Sequence, residues 1–138
     1  DYTVIGDNVN TASRLEGLTK HYKSSFIIGE RTYDLVKDKF LCRPLDLVQA
    51  KGKANAIRIY EPVAPTSSAS ESNRELVDEF CKAWTLYQNG NFSQALVQFE
   101  ELSIKFQDGP SFVYTERCRA LVAEPPQNWN GVYIAKSK

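Results

Sequence analysis

The chain has 138 residues, 42% hydrophobic, 25% charged and 12% aromatic, an ordinary globular composition that excludes collagen-like, disordered and low-complexity classes. Its 17 basic and 17 acidic side chains cancel, so net charge gives it no pull toward nucleic acid or an anionic membrane. No apolar run approaches the roughly 18–20 residues of a transmembrane helix, no signal peptide is visible, and Cys42, Cys81 and Cys118 share no metal or disulfide spacing.

Each cysteine therefore reads as a small buried thiol in a reducing compartment. The sequence holds no Met and opens directly on a strand pattern, as a piece of a longer protein would.

In chain order, Tyr2-Thr3-Val4-Ile5 is β-prone and closes at Gly6. Asp7 or Asn8 then caps a helix in which Val9, Ala12, Leu15, Leu18 and Tyr22 recur three or four apart. Residues 25–28 read as a strand closed by Gly29, and residues 30–40 as a helix with Tyr33, Val36 and Phe40 on one stripe. Residues 45–48 and 57–60 read as two strands joined by the polar hairpin 50–55. The segment 64–74 lacks any large apolar side chain and reads as a linker.

Beyond it the pattern is helical. Residues 75–88 place Leu76, Phe80, Ala83 and Tyr87 on one face; Asn89-Gly90-Asn91 breaks the run. Residues 92–106 and 112–122 predict two further helices, and Pro125-Pro126 leads into a tail with Trp129 and Tyr133. Trp84 and Trp129 read as packing anchors. The expected architecture is α+β over 1–63, a linker over 64–74, and a small α-helical hairpin region over 75–138.

One helix carries candidate chemistry. At 100° per residue, Asn10 and Arg14 fall about 40° apart on one flank, where an amide and a guanidinium together can hold a hydroxyl and a phosphate. The run from Tyr2 to Leu15 closely resembles the signature of class III nucleotidyl cyclases, Gly-x-x-Val-Asn-x-Ala-x-Arg after a strand. The Lys51-Gly52-Lys53 hairpin, ahead of a strand ending Tyr60-Glu61, resembles the same family's C-terminal pattern. The resemblance covers residues 1–63 and implies the C-terminal part of a ferredoxin-like catalytic domain.

By that resemblance Asn10 positions the ribose and Arg14 stabilises charge at the α-phosphate, both catalytic roles. Lys51 neutralises the distal phosphates, with Lys53 as the other candidate. Thr3 occupies the position that reads the base and resembles the subclass of bicarbonate-responsive adenylate cyclases and their bacterial relatives. The implied reaction is attack of the ribose 3′-oxygen of ATP on the α-phosphate, giving 3′,5′-cyclic AMP and pyrophosphate, driven by positioning and preorganised charge. Because a hydroxyl both donates and accepts, GTP and a guanylate cyclase stay open.

The family's two metal-binding aspartates and its adenine-contacting lysine belong to the preceding half of the domain. The acidic residues of this chain are expected on helix surfaces or in turns. The resemblance thus implies two Mg²⁺ or Mn²⁺ ions held by aspartates outside this chain, a second cyclase domain completing the site (a homodimer in the parent), and no activity in isolation. It implies a cytoplasmic protein, or the cytosolic portion of a membrane-anchored parent.

Ala83, Leu86, Gly90, Phe92, Ala95 and Phe99 resemble one tetratricopeptide-type hairpin. The tail from Asp108-Gly109-Pro110-Ser111 to Trp129 and Tyr133 resembles the ending of multidomain bacterial adenylate cyclases. The competing reading is a helical interaction or dimerisation module carrying a non-catalytic cyclase remnant. One such hairpin cannot bury its own apolar face, so it is expected to pack on the first half, on a second copy, or under the third helix.

Overall fold

The computed structural model describes residues 17–50 and 52–135. Residues 17–22 are helical, and Tyr22 is fully buried, as the apolar spacing of this helix predicts. β1 (Ile28–Gly29) follows, then α1 (Glu30–Val36), β2 (Phe40–Ala50) and β3 (Ala56–Pro65). A 3-10 turn (Thr66–Ser68) leads into α2 (Glu71–Gln88), α3 (Phe92–Lys105), α4 (Gly109–Ala123) and β4 (Tyr133–Ala135). The fold is mixed α/β, with one four-stranded mixed sheet in the order β1-β3-β2-β4.

β2 and β3 form a long antiparallel hairpin, and β1 pairs antiparallel with β3. β4 returns from the C-terminal tail to pair parallel with β2, Val48 opposite Tyr133. Both halves of the chain therefore contribute to one sheet. They also share one core, in which Tyr22, Leu45 and Ile59 join Phe80, Phe99 and Tyr114.

Several expected boundaries move. The strand expected over 25–28 is reduced to Ile28–Gly29, where Gly29 caps α1. The helix expected over 30–40 stops at Val36, and Phe40 opens β2 instead. The reason is pairing: Phe40 lies opposite Pro65, so β2 and β3 both outrun their apolar cores and draw their flanks into the ladder. The stripe itself survives in part, since Tyr33 stacks on Tyr60 at 3.8 Å between ring centroids.

Residues 64–74 hold the end of β3, the 3-10 turn and the first turn of α2. Ser70 caps that helix in a reciprocal box, its hydroxyl accepting from the Asn73 N–H at 3.0 Å while its own N–H donates to the Asn73 side chain at 3.0 Å. The small polar residues that suggested a linker are the residues a helix start requires. At the other end of α2, Gly90 takes φ +83° and donates to the Tyr87 carbonyl, and Asn91 donates to the Leu86 carbonyl. This pair of bonds is the Schellman termination, in which glycine meets no Cβ penalty.

Candidate functional site

Thr3, Asn10, Arg14 and Lys51 lie outside the described residues. Lys53 is exposed in the turn between β2 and β3, after Gly52 at φ +83°. Its N–H donates to the Ala50 carbonyl at 3.0 Å, and its carbonyl accepts from Gln49 Nε2 at 2.6 Å. The turn is thus held by one backbone bond and the Gln49 side chain, and Lys53 itself is exposed.

The described chemistry concentrates where the helical half meets the sheet. β2 carries irregularities between Leu41 and Cys42 and between Pro44 and Asp46. At the second, Pro44 faces Tyr60 and Asp46 faces Ile59, leaving Leu45 as the extra residue of a bulge. Pro44 has no N–H to offer the ladder, which is why a bulge forms there. Strict alternation breaks, and Leu45 and Asp46 are both fully buried. The Leu45 carbonyl accepts from the Tyr114 hydroxyl at 2.5 Å, and that hydroxyl accepts from Trp84 Nε1 at 3.1 Å.

Asp46 lies in the run 45–48 that the sequence reads as a strand, and the structure keeps it on a central strand. Its side chain is buried there, paired with Arg117 of α4 at 2.6 Å. The Tyr22 hydroxyl donates to the same carboxylate. The Arg117 guanidinium also donates to the Tyr87 hydroxyl at 2.9 Å and lies 3.9 Å from the Tyr133 ring centroid and 4.7 Å from that of Tyr114. Tyr22, Tyr87 and Tyr114 all have phenol pKa values raised, first by burial, so they stay neutral.

A second buried arginine works beside it. Arg43 of β2 sends its fork to Asp108 through two bonds of 2.8 Å, while its Nε donates to Glu61 of β3 at 2.8 Å. Asp108 also caps α4, accepting from the Ser111 N–H at 3.0 Å and its hydroxyl at 2.6 Å. Burial alone would raise the Asp108 carboxyl, but the Arg43 bonds and charge, with Ser111, hold it below the usual range. Glu61 is further bonded by the Ser24 hydroxyl at 2.5 Å.

These carboxylates are committed to arginines, and no group of three or more His, Cys, Asp or Glu among the described residues is placed to hold a metal ion. The described residues do not fit the two cations that a cyclase site implies. The cysteines are all free; burial pushes the Cys118 thiol up to about 12 and, with Glu61 nearby, the Cys42 thiol to about 11, so neither is a thiolate near neutrality. Trp84 and Trp129 pack as anchors: Trp129 Nε1 donates to the Gln88 carbonyl at 2.9 Å, and its ring meets Tyr87 and Phe92 edge-on.

The chain is 32% identical over 124 residues to a terminal-differentiation-specific adenylate cyclase of Dictyostelium discoideum, a match over 84% of this chain and 6% of that protein. It is 45% identical over 62 residues to adenylate cyclase 1 of Rhizobium meliloti (strain 1021), covering 45% of this chain and 9% of that protein. With an adenylate cyclase of Anabaena cylindrica it shares 48% identity over 64 residues, or 44% of this chain and 13% of that one. These relatives support a cyclase family. The chain spans no more than 13% of the length of any of the three. No family model matches the chain, and no solved structure matches it.

The match to the Dictyostelium cyclase leaves out fewer residues than either half of the chain contains, so it reaches into both the sheet half and the helical half. Among the described residues no helix is long and apolar enough to cross a membrane.

Proposed function

We propose that this chain is the C-terminal part of a class III cyclase catalytic domain, ferredoxin-like over 1–63, joined to a tetratricopeptide-like helical region. Its parent converts ATP to cyclic AMP and pyrophosphate. The observation that carries this reading is the similarity to proteins named adenylate cyclase, at up to 48% identity, in a chain that contains the ordered motif Val9-Asn10 to Arg14 and the Lys51-Gly52-Lys53 hairpin. In this reading Asn10 orients the ribose, Arg14 gathers charge at the α-phosphate, Lys51 or Lys53 neutralises the distal phosphates, and Thr3 reads the base.

The exposed position of Lys53 in the turn between β2 and β3 suits a side chain that reaches a polyphosphate. The two divalent cations, Mg²⁺ or Mn²⁺, belong in this reading to aspartates outside the chain, and a second cyclase domain completes the site. The isolated chain is therefore inactive. The tetratricopeptide-like assignment is supported by Ala83 and Ala95, both fully buried where α2 and α3 pack, and by the Gly90 turn.

The test is cyclic AMP formation by the longer protein that contains this chain. Arg14→Ala should lower kcat by about 10²–10³ with little change in KM, because the contact strengthens only in the transition state. An Arg14→Ala protein of undiminished kcat sinks the role. Thr3→Val should erase the preference for ATP over GTP in competition, since the buried donor and acceptor are lost. A protein that folds, makes no cyclic nucleotide and binds through its helices would favour the interaction-module reading instead.

A further inference from the structure

After α4 the chain crosses back over the molecule and is held at three places. Trp129 Nε1 donates to the Tyr87 and Gln88 carbonyls at 3.1 and 2.9 Å, taking up groups among those that a helix end leaves without intrahelical partners. Gly131 takes φ +80°, and its carbonyl accepts from Gln88 Nε2 at 2.6 Å; a Cβ there would stand 3.0 Å from Gln88 Oε1. Tyr133 lays its ring on the Arg117 guanidinium, 3.9 Å from the centroid. At that residue β4 begins, and it is three residues long.

β4 lands where the sheet is thinnest. Among the described residues β1 meets β3 only at Ile59 and Tyr60, so toward the turn the pairs Val48–Ile57 and Gln49–Ala56 would form a two-stranded ribbon without β4. β4 pairs with Val48, Gln49 and Ala50 and gives that end of the ribbon a third strand. Two-stranded ribbons twist more strongly and are marginal in water, and a third strand limits both tendencies. The residues β4 pairs with are also those that hold the turn beyond. Gln49 Nε2 donates to the Lys53 carbonyl, and the Ala50 carbonyl accepts from the Lys53 N–H.

We propose that residues 129–135 are a strap that positions Lys53 for the distal phosphates of the substrate, with Tyr133 as its positioning residue. The strap acts by pairing β4 with residues 48–50, whose Gln49 and Ala50 place the Lys53 backbone. This deepens the cyclase reading above and rests on it for the ligand. Lys53 is exposed, and both bonds described for it are to its backbone, so the ladder behind it decides where its side chain starts. The helical half thereby takes a share in substrate binding, because Gln88 of α2 and Arg117 of α4 anchor the strap.

The experiment uses the longer protein with ATP and Mn²⁺, each variant at a temperature where circular dichroism finds it folded. Ile134 is 52% exposed, so Ile134→Pro strikes the backbone of β4 rather than its packing, while Ile134→Thr keeps a β-prone residue as the control. Ile134→Pro should raise KM for ATP and the inhibition constant of added pyrophosphate about tenfold, the loss of roughly one charge-assisted contact. Tyr133→Ala should raise both by less, and Ile134→Thr should leave both unchanged. Lys53→Ala should also raise both, and adding Ile134→Pro to it should change little more, because the strap acts through that side chain. A strap that only stabilised the fold would lower the active fraction, and so apparent kcat, with KM and pyrophosphate inhibition unmoved.

In the 138-residue chain, amide hydrogen exchange at Lys53 should quicken in Ile134→Pro and not in Ile134→Thr, with α3 unchanged in both. A folded Ile134→Pro protein with unaltered KM and pyrophosphate inhibition overturns the proposal, and so do strictly additive effects of Lys53→Ala and Ile134→Pro. If Ile134→Pro does not fold, Tyr133→Ala decides by the same two constants. No cyclic AMP from the unsubstituted protein overturns the cyclase reading itself, and exchange at Lys53 then still decides whether the strap holds the turn.

Discussion

Two regions of this molecule are held together by opposite means. Within the helical half, α2 and α3 meet through Phe80, Ala83, Ala95, Phe99 and Leu102, with Phe80 and Phe99 edge-on at 5.4 Å. The seam between that half and the sheet centres on two guanidinium groups, the buried Arg43 and the largely enclosed Arg117, gripping Glu61, Asp108 and Asp46. Apolar packing supplies non-directional free energy in proportion to area. Buried charge supplies little net free energy but fixes direction, because a charge taken from water tolerates only a complete set of partners.

Arg43 at the seam has such a set. Arg43 is 2% exposed and its fork and Nε are both bonded, with the Phe80 face 4.5 Å away. By contrast the ion pairs Lys105–Glu75 and Arg119–Glu100 are roughly half exposed and belong to the class that contributes little.

The sharpest break of this contrast is Arg43→Ala. It removes a buried cation and leaves the partly buried Glu61 and Asp108 without it, and should cost about 3 kcal/mol in urea unfolding. A loss below about 1 kcal/mol would mean the seam is solvated and directs nothing. Leu102→Ala breaks the apolar side instead, opening a cavity between helices at a cost of about 3 kcal/mol. Its loss should come without any change in hydrogen exchange over 18–22, which distinguishes the two regions.

Between the two regions lies the start of α2. Ser70→Ala removes one arm of the capping box and should cost about 1 kcal/mol by the same unfolding measurement. If the cost is nil, the segment 64–74 contributes no more than the linker its composition suggested.

The smallest expected effect is on pH. The His21 pKa is lowered, first by partial burial and then by Arg117, against an opposing pull from Asp46. The unfolded imidazole therefore takes up its proton at higher pH than the folded one. Between the unfolded value of 6.5 and the lower folded value, the unfolded state binds more protons, so stability falls as pH drops through that window. Between about pH 7.5 and 5.5 the denaturation midpoint should fall slightly, and His21→Gln should flatten the fall. Asp108, held low by Arg43, contributes stability that is lost only at more acid pH, below about 4. The two windows are separate, and an unchanged profile in His21→Gln would remove His21 from the seam.

The sequence by itself determined the helices of the second half, the Gly90 turn between them and the hairpin over 50–55. Each depends on groups within a few residues: apolar side chains recurring at helical spacing, a glycine free to take positive φ, polar residues between two β-prone runs. Of the candidate site residues, Lys53 falls in the turn where it was expected; Thr3, Asn10, Arg14 and Lys51 lie outside the described residues.

Only the tertiary structure decided the rest. It made residues 64–74 a strand end and a capped helix start, cut α1 at Val36, and placed β4 parallel beside β2. It also turned Asp46 inward at a bulge and joined it to Arg117, 71 residues away, as it joined Arg43 to Asp108 across 65. Partners so distant leave no period in the sequence. A lone Asp between leucines reads as the solvent face of a strand until the fold supplies the arginine that makes its burial affordable.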